Sequence, residues 1–224
     1  MEILGTGAIA PDPSKSTNAI RLALQAISSS FTADWLLRQK STANVNLFIL
    51  AGVPIPIIPN EFYSFITKAS LRLTCNHVGY EALWREQLGD IWRETLKSPF
   101  TWPVLPVSEE RWKVRAAIDA VVAHSYSLLR DQYAHVLSAF SHKSYPKALE
   151  LCLARFDELK AIGLDAFTKK YDPYWDIPLN ENLPQPVIDL PVAEAEQSRV
   201  GDPALGPQFR LSDRPARQRA KRKR

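Results

Sequence analysis

The sequence contains little cysteine or histidine, the residues that form disulfides and bind transition metals. Among 224 residues there are two cysteines, Cys75 and Cys152, and four histidines. The cysteines lie far apart without the paired spacing of a zinc site or a disulfide framework, so we expect two reduced thiols in apolar surroundings. No His-Glu-x-x-His pattern occurs. Structural roles are therefore expected for all the histidines, which are His77, His124, His135 and His142.

A long apolar run is also missing. No stretch of 18 or more apolar residues occurs, and the start of the chain lacks the basic, apolar and small-residue blocks of a signal peptide. Hydrophobic residues nevertheless make up 46% of the chain, which is enough for one core. These features predict a cytoplasmic protein without a membrane partner.

Positive charge is concentrated in the last eleven residues, "RPARQRAKRKR". The seven cations of this segment exceed the net charge of +4, so the remainder of the chain is acidic, at about −3. Because the segment has almost nothing apolar to bury, we expect a disordered tail over residues 214–224. Its cations would contact phosphates, or they would only keep the terminus soluble. They are Arg214, Arg217, Arg219, Lys221, Arg222, Lys223 and Arg224.

Apolar residues recur at steps of three and four along most of the chain, which predicts helices. Polar caps at residues 16–18 begin the first helix, and its stripe from Ile20 to Trp35 predicts one continuous helix that ends near Lys40. Further helices are expected around these start and stop signals: Pro59, Asn76, Ser108, Asp131 and Gly163.

One segment favours a strand. The apolar run "LFILAGVPIPIIP" is short and proline-rich, which predicts a strand over residues 46–51 and an extended exit after it. The predicted fold class is therefore α+β and predominantly α-helical, with one or few strands. Four segments are expected: 1–58 with the strand, a helical region over 59–170, an extended strap and linker over 171–213, and the tail.

Two fragments suggest methyl transfer but stand in the wrong context. Gly5-Thr6-Gly7 is similar to the glycine turn under a methyl donor, yet only four residues precede it and Pro11 follows closely. The "DPYW" of residues 172–175 is similar to the Asp/Asn-Pro-Pro-aromatic loop that holds a flipped-out base, but Tyr174 replaces the second proline. We therefore expect no catalytic residue in this chain; a small stand-alone methyltransferase is the weakest alternative.

A broader resemblance covers residues 17–160. The run "ALQAISSSFTADWLLRQKSTANVNLFILAGVPIP" resembles the end of the target-recognition region in large adenine-specific DNA methyltransferases of type IIG restriction–modification and BREX-like phage-defence systems. "ASLRLTCN" and "VRAAIDAVVAHSYSLLRDQYAHVLSAF" resemble two later signatures of that family. The second includes Asp119, His124 and Tyr126, and departs from the family at Ser127, where the family has glycine, and at Leu129.

This resemblance implies a target-recognition remnant followed by a C-terminal helical region, without the catalytic domain. S-adenosylmethionine is then expected only on a missing catalytic domain, and no cofactor is expected in this chain. The implied partners are double-stranded DNA and a catalytic methyltransferase part encoded upstream. The competing hypothesis is a helical protein-interaction module without nucleic-acid binding.

Within the resemblance, cations and amides at a helix end are candidates for DNA contacts, because such groups suit phosphates and base edges. The alternative is that the cations only solvate a helix C-terminus, where positive charge is favoured. The candidate DNA-binding residues are Arg38, Gln39, Lys40, Ser41, Asn44 and Asn46. Asp119, His124 and Tyr126 lie among aliphatic residues, so buried hydrogen bonds are expected of them instead.

Overall fold

The computed structural model of the protein describes residues 17–41, 45 and 47–180, which all belong to the unit Met1–Ile188. Eight α-helices occur in this part of the chain. No helix among the described residues is long and apolar enough to cross a membrane. The helices are α1 (Asn18–Ser28), α2 (Phe31–Lys40), α3 (Leu47–Ala51), α4 (Asn60–Thr74), α5 (Glu81–Leu88), α6 (Ser108–Ser125), α7 (Arg130–Ser138) and α8 (Ala148–Tyr171).

The predominantly helical class is confirmed, but the predicted strand is wrong. The described residues contain no strand, and α3 stands where residues 46–51 were expected to be extended. A single strand without a neighbour would leave its backbone groups unpaired, whereas a helix satisfies them locally. Two amides, of Gly52 and Val53, bond back to Ile49 and Leu50 and close the last turn.

The expected single helix up to Lys40 is two helices. The Ser30 hydroxyl accepts a hydrogen bond from the Ala33 amide at 3.2 Å and caps α2, while it also donates to the Ile27 carbonyl at 2.7 Å. Serine side chains compete with the helical backbone in this way and favour caps over helix interiors. The apolar stripe is therefore shared by two helices, which residues 29 and 30 separate.

Two other helix ends differ from the sequence prediction. The apolar spacing of Leu88, Ile91 and Trp92 predicts a helix that reaches Trp92, but Gly89, with φ of +60°, ends α5 after Leu88. Gly163, with φ of +75°, interrupts α8 as expected of a helix terminator, but helical geometry resumes and continues to Tyr171. By contrast, α6 begins at Ser108 with two acids in its first turn, as predicted.

Helix α6 lies at the centre of the fold. All eight residues from 116 to 123 are buried, so this part of the helix is covered on every side. Its apolar side chains belong to two clusters, one shared with α1, α4 and α8 and the other with α2, α7 and α8. A third cluster joins α4 and α5 to the loop before α6 around Trp84, Trp102 and Tyr174.

Asp119 attaches α2 to this central helix. Its side chain is 1% exposed, and its Oδ1 accepts a 2.7 Å hydrogen bond from the Phe31 amide at the start of α2. A carboxylate is favoured there by the unpaired amides and the positive end of the helix dipole. Burial nevertheless raises the pKa of Asp119 to about 7, against the Phe31 hydrogen bond and the charge of Arg115.

This raised pKa predicts a pH-dependent stability. The folded state holds a proton on Asp119 that the unfolded state releases, so the free energy of unfolding should fall as the pH rises from about 4 to about 7. Asp119→Asn keeps an oxygen for the Phe31 amide but cannot ionise. As the pH rises through that range, the free energy of unfolding of this variant should increase relative to that of the wild type by up to a few kcal/mol. Each unit of pKa difference between the folded and unfolded states corresponds to about 1.4 kcal/mol.

Urea unfolding at pH 5, 6, 7 and 8 measures this difference. Asp131→Asn is the control, because that carboxylate is exposed in the first turn of α7. A stability difference between the Asp119→Asn variant and the wild type that stays constant with pH would contradict the buried titration.

Candidate nucleic-acid interface

The predicted DNA-contacting cations lie at the end of α2 and are held by the protein itself. Arg38 forms two 3.0 Å hydrogen bonds to Asp34, and its guanidinium carbon lies 4.7 Å from the centroid of the Phe140 ring. Lys40 donates to the carbonyl of Gly52. The Asp34 hydrogen bond and charge raise the pKa of Arg38 further. Both side chains remain exposed, so they can still meet a partner at this surface.

The other predicted contacts divide between described and undescribed parts of the chain. Gln39 is exposed beside Arg38, and Ser41 follows α2 as its C-cap. Asn44 and Asn46 lie outside the described residues, as do the Gly5-Thr6-Gly7 turn and the basic residues from 214 to 224.

A different group of cations, which sequence reasoning missed, lines a cleft of about 490 Å³. Four parts of the chain form its walls: α4, the loop between α5 and α6, the first half of α6, and α8 with the turn that follows it. We call this the basic cleft. Its cationic side chains are Arg72, Lys97, Lys113, Arg155, Lys169 and Lys170.

Several of these cations are paired. Arg72, which is nearly buried, forms an ion pair with Glu94 and donates to the Tyr171 carbonyl. Arg155 and Lys170 share the carboxylate of Glu158. Burial opposes the ionisation of Glu158, but hydrogen bonds from Lys170 and the Tyr171 hydroxyl outweigh it and keep its pKa below the usual value.

Two lysines of the basic cleft have no ion-pair partner among the described residues. Lys97 lies on the loop before α6 and Lys113 lies on α6 itself, and both are exposed. Against the six cations stand Glu94 and Glu110 in the lining, together with the paired Glu158 and Asp165. The cleft therefore has an excess of positive charge that can attract an anion such as a phosphodiester.

The "DPYW" segment of residues 172–175 is a turn beside the basic cleft, which Pro173 helps to line. The Asp172 Oδ1 accepts a 2.9 Å hydrogen bond from the Tyr174 amide, and both side chains are buried. Lys68 of α4 donates to the Tyr174 carbonyl at 2.7 Å and lies 3.8 Å from the Asp172 carboxylate. Burial lowers the pKa of Lys68 and raises that of Asp172, and the charge of each partner opposes this. In this conformation Asp172 holds the turn against α4.

Asp119 and Tyr126 have the buried hydrogen-bonding roles expected of them, whereas the contact of His124 is with an aromatic ring. Asp119 caps α2 as described, and the Tyr126 hydroxyl donates to the Pro54 carbonyl at 2.7 Å. His124 is half-buried 5.4 Å from the Phe62 ring, with its pKa lowered by burial and by Lys160. Both cysteines are buried, and burial raises the pKa of the Cys75 thiol to about 11.

Comparison with family models, curated proteins and solved structures finds no match to this chain. Within the described residues, no three His, Cys, Asp or Glu side chains gather closely enough to hold a metal ion. The geometry of the basic cleft and the exposed end of α2 are therefore the basis for a functional hypothesis.

The buried pair below the basic cleft predicts a large mutational effect. Lys68→Met should reduce the free energy of unfolding by about 3 kcal/mol, because it leaves the Asp172 carboxylate buried without its cation. Adding Asp172→Asn, which keeps an acceptor for the Tyr174 amide, should recover most of that loss. Guanidinium unfolding of the two variants measures both values.

Lys169→Met is the matched control, since Lys169 forms an exposed ion pair with Asp165. That substitution should cost no more than about 0.5 kcal/mol. If the double variant were as unstable as Lys68→Met, the loss would come from packing of the lysine stem and not from the unpaired carboxylate.

Proposed function

We propose that this chain is the DNA-recognition part of an adenine-specific methylation system of the restriction–modification or phage-defence kind, and that it acts with a separate catalytic methyltransferase part. Double-stranded DNA is the proposed partner, with its phosphates along the basic cleft. S-adenosylmethionine would be bound by the catalytic part.

The main observation in favour of this proposal is the uncompensated charge of Lys97 and Lys113. Cations held on separate walls of one cleft can contact successive phosphates, and such contacts provide most of the affinity for nucleic acid. A smaller observation also agrees with the family resemblance. Ser127, which stands where the family has glycine, adopts a φ of +58°, in the left-handed region that favours glycine.

The proposal predicts a specific change in salt dependence. For binding of the full chain to duplex DNA, log K should fall linearly with the logarithm of the salt concentration. Lys97→Ala with Lys113→Ala should make that slope shallower by about 2, because each phosphate contact contributes about 0.9. Fluorescence anisotropy with a labelled duplex from 50 to 300 mM salt measures it.

The control is Lys143→Ala with Lys147→Ala, which removes two exposed lysines outside the cleft. The same pairs should also be compared in a chain that ends at residue 213, since phosphate contacts from about five of the seven terminal cations alone contribute a slope of about −4 to −5. Equal effects of the two lysine pairs would contradict a specific role of the basic cleft.

The second candidate function is a helical interaction module without DNA binding. The observation in its favour is that Arg38 and Lys40 already have intramolecular partners, Asp34 and Gly52. These contacts explain the two cations as groups that stabilise the end of α2 and its connection to α3, without any need for a nucleic acid.

Selection from a randomised duplex pool separates these two functions. We expect the full chain to enrich one sequence, and Arg38→Ala with Lys40→Ala to remove the enrichment, because a cation that reads a base contributes about 1–3 kcal/mol of discrimination. Arg130→Ala, which removes an exposed arginine paired with Asp157, is the control and should retain it. Folded protein that selects no sequence would favour the interaction module.

A further inference from the structure

A second cleft, of about 480 Å³, lies between α1, α4 and α6. Its lining on α6 includes Ser108, Trp112, Arg115 and Asp119, which follow one another at steps of three or four and so share one face of the helix. Lys113 and Ala117, which line the basic cleft, belong to another face. We call the second site the polar cleft.

Two of the residues that line the polar cleft have a buried polar atom without a hydrogen-bond partner among the described residues. They are the Ser70 hydroxyl on α4 and the Oδ2 of Asp119 on α6, and each residue is only 1% exposed. Buried hydroxyls and carboxyls are normally hydrogen-bonded, since burial without a partner is costly. The pair therefore indicates a place where a ligand supplies the missing hydrogen bonds.

Arg115 provides hydrogen-bond donors beside these atoms. Its guanidinium carbon lies 4.7 Å from the centroid of Trp112 and 5.2 Å from that of Phe31, so two aromatic rings position the group. It makes no hydrogen bond to the described residues. A guanidinium fixed by rings keeps its N–H edge available for a planar acceptor pair on a ligand.

The three groups together restrict the chemistry of the ligand. Arg115 requires acceptors, the Asp119 Oδ2 requires a donor when ionised, and the Ser70 hydroxyl can bond to either. Above a pH of about 7 the ionised Asp119 would repel a phosphate, and at any pH Arg115 would repel an ammonium group. A neutral, planar ring with acceptors on one edge and N–H donors on the next satisfies all three, and the volume is large enough for such a ring with a sugar.

Guanine is the nucleobase with this arrangement. Its O6 and N7 are acceptors that arginine binds in bidentate fashion. Its adjacent edge presents the N1–H and the 2-amino group to an acceptor such as Asp119. We propose that the polar cleft binds a guanine base between Arg115 and Asp119, either as a free nucleoside or as an unpaired base of a nucleic acid.

Calorimetry of the full chain at pH 8, above the pKa of about 7 that burial gives Asp119, tests the proposal. Guanosine should bind saturably. Inosine lacks only the 2-amino group. Inosine and adenosine should each bind at least about tenfold more weakly than guanosine, as expected when a buried polar group loses its partner. Equal binding of the three nucleosides, or no saturable binding of guanosine or of a guanine-containing oligonucleotide, would overturn it.

Asp119→Asn gives the sharpest test, because it replaces the acceptor Oδ2 with an N–H donor while an oxygen remains for the Phe31 amide. The variant should lose its preference for guanosine over inosine and should bind xanthosine, which has an oxygen at C2, more tightly than guanosine. A purely structural role of Asp119 would not exchange these preferences. Asp34→Asn, at the exposed side of the same cleft, should leave the preference unchanged.

Two additional comparisons identify the source of the base and separate this site from the basic cleft. A single-stranded oligonucleotide with one guanine should displace guanosine at lower concentration if the site takes bases of nucleic acid, and at equal or higher concentration if it takes the nucleoside. Arg115→Lys should weaken guanosine binding about tenfold or more. Lys97→Ala with Lys113→Ala should not change it, so guanosine binding tests this proposal whether or not the basic cleft binds DNA.

Discussion

The burial of α6 on all sides is the constraint on which the rest of the structure depends. Residues 116–123 are buried together, and four of them are alanines, so neighbouring helices can approach closely. Residues three or four apart share one face of a helix, so the more exposed first half of α6 presents one face to each of two clefts of different chemistry. One has an excess of cations, and the other has a buried carboxyl and a buried hydroxyl.

At the junction of α2 with α6, the same two residues stabilise the fold and line the polar cleft. Asp119 caps α2 and Arg115 lies over the first ring of that helix, so both help to fix the direction of α2 and the position of its exposed cationic end. Burial of the Asp119 carboxyl reduces the free energy of unfolding, because its second oxygen has no hydrogen-bond partner among the described residues. A ligand that bonds to the second oxygen would offset that cost.

The turn after α8 shows how a segment similar to a catalytic loop can have a structural role. Lys68 and Arg72, one turn apart on α4, hold the Tyr174 and Tyr171 carbonyls, and this closes one side of the basic cleft. Since the comparisons found no match, the functional proposal is supported by the charge of that cleft and by the resemblance in sequence. The resemblance covers residues 17–160 and so includes Lys97 and Lys113, whereas Lys169, Lys170 and the turn lie beyond it.

The sequence by itself determined the helical class, the start of α6 and the buried roles of Asp119 and Tyr126, because caps, acids in a first turn and apolar spacing act locally. It did not determine α3, since a short apolar run is compatible with a strand or a helix until the presence of a partner strand is known. It also did not reveal the basic cleft. The six cations there are distributed from Arg72 to Lys170, and only the packing of α4, α6 and α8 brings them together. The contacts of Arg38 with Phe140 and of Lys40 with Gly52 were equally decided by tertiary structure, whereas Asp34 pairs with Arg38 within the same helix.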